Sequence, residues 1–182
     1  MPNRAAIVVD RGWIFAGDVE EYSSAGVNRV RLSDAVWIFR WEKIGFNGVI
    51  DRPEMADIRP IADLDIPVTS EIFRVPVHDE WAKNVVTEQL DPALPRNNNR
   101  AIVVADRGWI FAGDVDEETR PGRIMLSKGR WVFRWEKIGF NGVIATPEKA
   151  DIRPMADMDI PQAAEIFRVP VPDNWAVAKK TK

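Results

Sequence analysis

A stretch of twelve residues, Phe39 to Ile50, recurs without change as Phe133 to Ile144. The match extends beyond this stretch, because Arg4 to Trp13 aligns with Arg100 to Trp109. Such a repeat indicates one small domain written twice, so any site in this protein is expected at two equivalent places.

The repeat predicts where the domains begin and end in a chain of 182 residues. A first β-rich copy with a C-terminal helix covers 1–90, a linker covers 91–99, and the second copy covers 100–182. The linker contains two prolines and an asparagine run, which favours a short and partly stiff connection. The basic end of the second copy, Lys179 to Lys182, is expected to be disordered.

Composition excludes several classes of protein. With 25 basic and 28 acidic residues, the net charge of −3 does not suit a protein that binds duplex nucleic acid through its phosphates. The absence of cysteine excludes disulfides, thiolate catalysis and cysteine-ligated zinc. No stretch approaches the roughly 20 apolar residues that a membrane span needs. We therefore expect a cytoplasmic protein, in the host cytoplasm if it is phage-encoded, with no membrane partner.

Short runs place aromatic residues on one face and aliphatic or basic residues on the other, and Ala5–Val9 is a continuous apolar run; both patterns are typical of strands. The expected fold is mainly β (α+β): two tandem antiparallel meanders, each curling into a small barrel with a short helix, related by a pseudo-two-fold axis. Eight tryptophans and eight phenylalanines suit such domains, since about 80 residues give a marginal core that depends on bulky side chains. The predicted strands are Ala5–Val9, Trp13–Val19, Val30–Leu32, Trp37–Trp41, Glu71–Val75 and Glu165–Val169.

Three further segments carry local signals. Asn47-Gly48 is a strong hairpin-turn signal, so a glycine-bearing loop or frayed turn is expected at 43–50, with one helical turn near 53–57 and 147–151. The stretch from Glu21 to Arg29 differs in length between the copies, which marks a hairpin loop. A helix capped by Asp79 is expected next, with an apolar stripe of Trp81, Val85, Val86 and Leu90.

The order of these motifs resembles a family of small uncharacterised proteins, one domain long, found largely in phages and prophages. Its members have a glycine after an aliphatic strand and then a strand of the form V-x-L-x-x-A-x-x-I-(aromatic)-x-W. The matching residues are Gly17, Val30, Leu32, Ala35, Ile38, Phe39 and Trp41, and in the second copy Gly113, Ile124, Leu126, Val132, Phe133 and Trp135, with Gly129 in the place of the alanine. The family's final strand, of the form A-x-E-I, resembles Ala164-Glu165-Ile166. The resemblance implies a phage origin, and it brings no known activity with it.

Arginines near tryptophans are the first candidate ligand-binding residues. Such a pair can clamp a phosphate and stack a planar ring, although Arg40 could instead pair with Glu42 and the aromatic residues could instead form the core. These candidates are Arg11, Trp13, Arg40, Arg107, Trp109 and Arg134. Large apolar side chains on the glycine-bearing loops are the second group, since they could contact a ligand, fold back or pack on the other copy. This group comprises Phe46, Asn47, Phe140 and Asn141.

Other chemistries have weaker signals. Asp63 and Asp65, and in the second copy Asp157 and Asp159, lie on one side of an extended segment. Two carboxylates alone are a poor metal site, and solvated loop acids are the simpler interpretation. The single histidine, His78, has Pro172 in its place in the second copy, so a two-site enzyme cannot depend on it. No catalytic motif and no cofactor site is predicted.

The leading hypothesis is a non-enzymatic phage protein with paired sites, which sequesters a small phosphorylated ligand such as a signalling nucleotide. The alternative is a structural or assembly protein that grips protein partners through the Phe46 and Phe140 loops. A carboxylate-dependent hydrolase is a third hypothesis. A homodimer is a further expectation, since closed symmetry is common among oligomers.

Overall fold

A computed structural model describes residues 3–86 and 99–177. The chain divides into two compact units, Met1–Pro92 and Ala93–Lys182. The predicted linker at 91–99 lies outside the described residues apart from Asn99, and so does the basic tail.

The first unit is an antiparallel sheet with two short helices. Strand β1 lies between β2 and β6, and β2 pairs in turn with β3. The long β3 then pairs with β4 near its C-terminal end and with β5 near its start. The strands are β1 (Arg4–Val9), β2 (Trp13–Ser24), β3 (Val27–Arg40), β4 (Asp57–Pro60), β5 (Leu64–Pro67) and β6 (Glu71–Val77). The helices are α1 (Gly45–Asp51) and α2 (Lys83–Val86), with 3-10 turns at Asp10–Gly12, Pro53–Met55 and Val68–Ser70.

The second unit repeats this topology. Strand β7 lies between β8 and β12, while β9 pairs with β8 and with both β10 and β11. The strands are β7 (Arg100–Ala105), β8 (Trp109–Asp116), β9 (Arg123–Arg134), β10 (Asp151–Pro154), β11 (Met158–Pro161) and β12 (Glu165–Pro170). One α-helix, α3 (Gly139–Ala145), is accompanied by 3-10 turns at Asp106–Gly108, Pro147–Lys149 and Gln162–Ala164.

The mainly β, antiparallel class is confirmed, but closure into barrels is not. Among the described residues of the first unit, β6 forms no ladder with β4 or β5, so the sheet stays open. The closing strands at Glu71 and Glu165 occur where they were predicted. None of the described helices is long and apolar enough to cross a membrane.

The predicted loop at 43–50 is wrong, because α1 occupies most of it. Gly45 has a φ of 69° and its N–H donates to the Trp41 carbonyl, so this glycine ends the preceding turn and lets the helix begin. A Cβ on Gly48 would lie 3.0 Å from Ile44 Cβ. The second glycine therefore permits close packing inside the helix and does not form a hairpin turn. The predicted helical turns near 53–57 and 147–151 are present as the 3-10 turns at Pro53–Met55 and Pro147–Lys149.

One strand replaces two predicted ones at Val30 and Trp37. The hairpin before it turns at Ala25-Gly26, whose φ values of 49° and 76° are typical of a tight type I′ turn. Strand β3 continues through a register shift opposite Gly17, where a Cβ would lie 2.8 Å from the Ser33 carbonyl oxygen. Only glycine permits this approach, which keeps the strand continuous through the irregularity.

The helix predicted from Asp79 is short, and the prediction that Asp79 caps it is wrong. The Asp79 carboxylate accepts a hydrogen bond from the Asn3 main chain at 3.2 Å, and turns precede α2. Trp81 is buried as expected, and its indole N–H donates to the Ile50 carbonyl, which fixes the end of α1. Val85 is half-buried, while the side chain of Val86 and all of Leu90 lie outside the described residues.

A fully buried arginine organises the same region in each unit. Arg4 donates to the Trp81 carbonyl at 2.8 Å, the Asp18 carboxylate at 3.0 Å and the Asp34 carbonyl at 3.0 Å. It thereby joins β1 to β2, β3 and the segment that carries Trp81. Arg100 makes the equivalent bonds to Trp175 and Asp114 in the second unit.

Candidate functional site

Four aromatic rings pack together on one face of each sheet. In the first unit Trp13 stacks on Phe15 with ring centres 5.9 Å apart and contacts Trp37 at 5.2 Å, and Phe39 meets Trp37 edge-on at 4.8 Å. Trp109, Phe111, Trp131 and Phe133 repeat these contacts in the second unit. These four-ring sets are called the aromatic clusters below.

The opposite face of the sheet in the first unit holds an aliphatic core. Ile14 and Ile38 alternate with the cluster residues along β2 and β3, and they pack with Val49 of α1 and with Trp81. The sheet is thus apolar on both faces, so the cluster is additional to that core.

Exposure of the cluster differs between the two units. Phe15 and Trp37 of the first cluster are buried, whereas Trp109 of the second is 49% exposed. Beside Trp109 lies a cleft of about 490 Å³, lined by Ala105, Asp106, Trp109, Phe111, Trp131, Met155 and Ala164. Its walls are almost entirely apolar, so it suits aromatic or aliphatic groups.

Two arginines lie over the Phe39 ring, at the end of β3. The Arg59 guanidinium carbon is 3.6 Å from the ring centre and that of Arg40 is 5.1 Å away. Arg153 and Arg134 lie over Phe133 at 3.6 and 5.0 Å. The same geometry thus recurs in both units, and in each the ring quadrupole attracts the cations that lie over its face.

The two arginines of each pair differ in their ion partners. Arg59 makes two hydrogen bonds to the Asp57 carboxylate, at 3.1 and 3.0 Å, so its charge is neutralised. Arg153 binds Asp151 in the same way, and this hydrogen bonding lowers the pKa of Asp151, with a smaller contribution from the charge of Arg134. Within the described residues, neither Arg40 nor Arg134 forms a salt bridge.

Glu42, the residue that could have formed a salt bridge with Arg40, has another hydrogen-bond partner. The Glu42 carboxylate turns back and accepts the Trp41 main-chain N–H at 3.1 Å. Glu136 makes the same bond to Trp135. Arg40 and Arg134 are both exposed, and each is free to meet an anion from solvent.

Arg11 and Arg107 lie in tight turns between the first two strands of each unit. Both have a φ of 61°, a left-handed conformation that is strained for a residue with a side chain, and both are exposed. The register of β2 and β3, with Phe15 opposite Trp37, places the Arg11 turn at the same end of the hairpin as Arg40. The structure thus brings Arg11 and Arg40 to the same end of the strands in the first unit.

The second group of predicted residues lies in helices and not in loops. Phe46 packs edge-on against Trp41 and Phe73, with ring centres 6.4 and 5.7 Å apart. Phe140 makes equivalent contacts and is fully buried. Folding back on their own unit is therefore the interpretation that these contacts favour. Asn47 is exposed and Asn141 is half-buried.

The paired carboxylates are engaged by side chains of their own unit. Asp65 accepts the Tyr22 hydroxyl at 2.8 Å, and Asp159 accepts hydrogen bonds from Arg123 and Arg120 at 2.5 and 2.7 Å. Hydrogen bonding from Arg123 lowers the pKa of Asp159. No group of three or more possible metal ligands occurs in residues 3–86 and 99–177.

Sequence reasoning missed Arg59 and Arg153, the arginines closest to the rings. A signal was present, since the motif Asp-Ile-Arg-Pro occurs at Asp57 and again at Asp151 outside the twelve-residue match. Its meaning depends on pairing between β3 and β4, which places Arg59 opposite Trp37. No local pattern encodes that pairing.

Comparisons with protein-family models, curated proteins and solved structures find no match. The resemblance to small phage proteins therefore stays a prediction. Function has to be argued from the geometry of the site itself.

Proposed function

We propose that this chain is a non-enzymatic binding protein for a small phosphorylated ligand, with one site in each tandem unit. The first site is formed by Phe39, Arg40 and Arg59, and the second by Phe133, Arg134 and Arg153. One observation carries the proposal: an exposed arginine without a salt bridge lies over a phenylalanine ring, with nearly the same distance in both units.

Charge at each site favours a small anion. Because Asp57 neutralises Arg59, Arg40 is left as one net positive charge beside the ring. A guanidinium can bind a phosphate through two hydrogen bonds, and its flat face can stack on a planar base. A nucleotide supplies both groups. Arg11 and Arg107, at the same end of their hairpins as Arg40 and Arg134, would add charge for further phosphates.

Sequestration of a host signalling nucleotide by a phage protein is the specific form of this proposal. It requires affinity and no catalytic group, which agrees with a site built from arginines and rings. Duplication of the unit would double the number of ligands held by each chain.

The test is isothermal titration calorimetry with mono-, di- and cyclic nucleotides and inorganic phosphate. Two ligands should bind per chain, Arg40→Ala or Arg134→Ala should reduce this to one, and the double variant should bind none. Arg52→Ala is the matched control, since Arg52 is also exposed in the first unit but contacts no ring among the described residues. Wild-type protein that binds no phosphorylated compound would refute the proposal.

An assembly role is the second candidate function. Phe46 and Phe140 do not favour it, because both pack within their own unit. Exposed apolar side chains on β6 do favour it, since Ile72 is 60% and Phe73 is 46% exposed.

A further inference from the structure

The cleft beside Trp109 has the size and the walls of a site for a flat ring. Its volume of about 490 Å³ lies within the range of about 300–1,000 Å³ that is usual for small-molecule sites. Trp109 lines the cleft and is 49% exposed, so much of its indole ring is accessible there. An accessible indole in a concave apolar site favours a planar ligand that can stack on it.

Met155 forms another part of the wall. Its N–H donates to the Gly129 carbonyl at 3.0 Å, which ties the segment after β10 to β9. A Cβ on Gly129 would lie 2.9 Å from the Ala156 carbonyl oxygen, so a glycine at this position permits the close approach. The methionine side chain is flexible and polarisable, and it can adapt to a ring beside Trp109. The cleft thus combines a rigid aromatic wall with an adaptable one.

The cleft adjoins the arginine site proposed for this unit, because Trp131 contributes to both. Trp131 lines the cleft, and its ring centre is 4.8 Å from that of Phe133 and 5.9 Å from the Arg153 guanidinium carbon. Arg134 lies over Phe133 at 5.0 Å. A row of neighbouring rings, Trp109, Trp131 and Phe133, therefore leads from the cleft to Arg134.

Charges near the cleft favour an anion at the Arg134 end. The Asp106 carboxylate accepts the Arg107 main-chain N–H at 2.8 Å and lies 4.0 Å from the Arg107 Nε. Asp151 is bound by Arg153 through two hydrogen bonds. These two carboxylates are thus each offset by an arginine. Arg134, which forms no salt bridge within the described residues, adds one positive charge.

We infer that the cleft holds the base of a nucleotide whose phosphate binds Arg134. This inference rests on the proposed function and names the ligand class of its second site. The base stacks on Trp109 beside Met155, and the sugar passes along Trp131 and directs the phosphate to Arg134. Because the walls are almost entirely apolar, they recognise the flat face of the base and not its edge, so all the common bases should bind.

Isothermal titration calorimetry on the Arg40→Ala chain tests the inference, because this variant keeps only the second proposed site. Adenosine monophosphate is compared with ribose phosphate, which is the same molecule without its base. Stacking on an aromatic side chain should make the nucleotide bind about 10- to 100-fold more tightly than the sugar phosphate. Adding Trp109→Ala should abolish this advantage and leave the affinity for ribose phosphate unchanged, which also shows that the variant is folded. Trp109→Phe, which keeps a smaller ring, should retain part of the advantage.

Val177→Ala is the matched control. Val177 is 43% exposed in the same unit but does not line the cleft, so the full advantage of the nucleotide should remain. If ribose phosphate binds as tightly as the nucleotide, or if the advantage survives Trp109→Ala, the inference is overturned and the proposed function stands. If neither phosphorylated compound binds, both fail. Nucleotide binding that Trp109→Ala weakens and Arg134→Ala leaves unchanged would refute the arginine site alone.

Discussion

Replacing Arg4 by methionine tests how much of the stability of the first unit depends on one buried cation. The substitution keeps much of the side-chain volume and removes all donors, so it leaves the Trp81 and Asp34 carbonyls and the Asp18 carboxylate without the bonds that they accept from Arg4. Breaking a buried ion pair from one side costs about 3–5 kcal/mol. Asp18 is partly exposed and regains water, so we expect the low end, about 3 kcal/mol.

Arg100 provides the matched comparison in the same chain. It makes one bond fewer, because its second terminal nitrogen is buried without a hydrogen-bond partner in the described residues. Its carboxylate partner, Asp114, also keeps a bond from Lys128 at 2.6 Å. Arg100→Met should therefore destabilise its unit by about 1 kcal/mol less than Arg4→Met destabilises the first.

The assay is urea denaturation in which hydrogen exchange, read by mass spectrometry, monitors unfolding. Peptides from each unit report the stability of the two units separately. Arg4→Met should lower the free energy of unfolding of the first unit and leave protection in the second unchanged. A loss below about 1 kcal/mol, or a larger loss for Arg100→Met, would refute the assignment of these arginines as organisers of the fold.

Three further predictions concern other described positions. Gly17→Ala should lower the free energy of unfolding by about 1–3 kcal/mol, measured by chemical denaturation, since the added Cβ would lie 2.8 Å from the Ser33 carbonyl oxygen; an unchanged midpoint would contradict this. Burial, and then the charge of Asp65, raises the pKa of Tyr22, so its phenol should ionise above the usual value near 10 in an absorbance titration. Because the folded state favours the neutral phenol, its contribution to stability is present below pH 10 and is lost as pH rises through the folded pKa; a normal titration curve would contradict the contact. Phe140→Ala should cost about 3–5 kcal/mol in thermal or urea unfolding, as for a fully buried phenylalanine, and a loss near zero would place that ring outside the core.

Strand positions could be predicted because their signal is local. Alternation along Trp13 to Ala16 and along Val36 to Phe39 reports directly which side chains share a face. The same alternation could not tell which face forms the core. Both faces are apolar, and the aliphatic one is covered by α1 and Trp81, which come from distant parts of the chain.

The helix at Gly45 could not be predicted because its causes are tertiary. Two glycines and an asparagine oppose a helix locally, by about 1 kcal/mol for each glycine. Burial of Val49 and the bond from Trp81 to the Ile50 carbonyl favour it, and both involve residues outside the segment.

Only part of the candidate site could be predicted, because some of its residues come together through tertiary contacts. Arg40 and Arg134 were identified from their position beside aromatic residues on one strand. Arg59 and Arg153 were missed, because they reach the rings only through a strand pairing that spans about twenty residues of chain, a contact that no local rule gives.

The buried arginine that opens each unit has a consequence for where the chain can be cut to study one half. Arg4 is the first residue of β1, and its guanidinium ties that strand to β2, to β3 and to the segment of Trp81. Arg100 opens β7 in the same way. An excised half has to start before its arginine, because a half that starts one residue later loses the bonds that anchor its first strand.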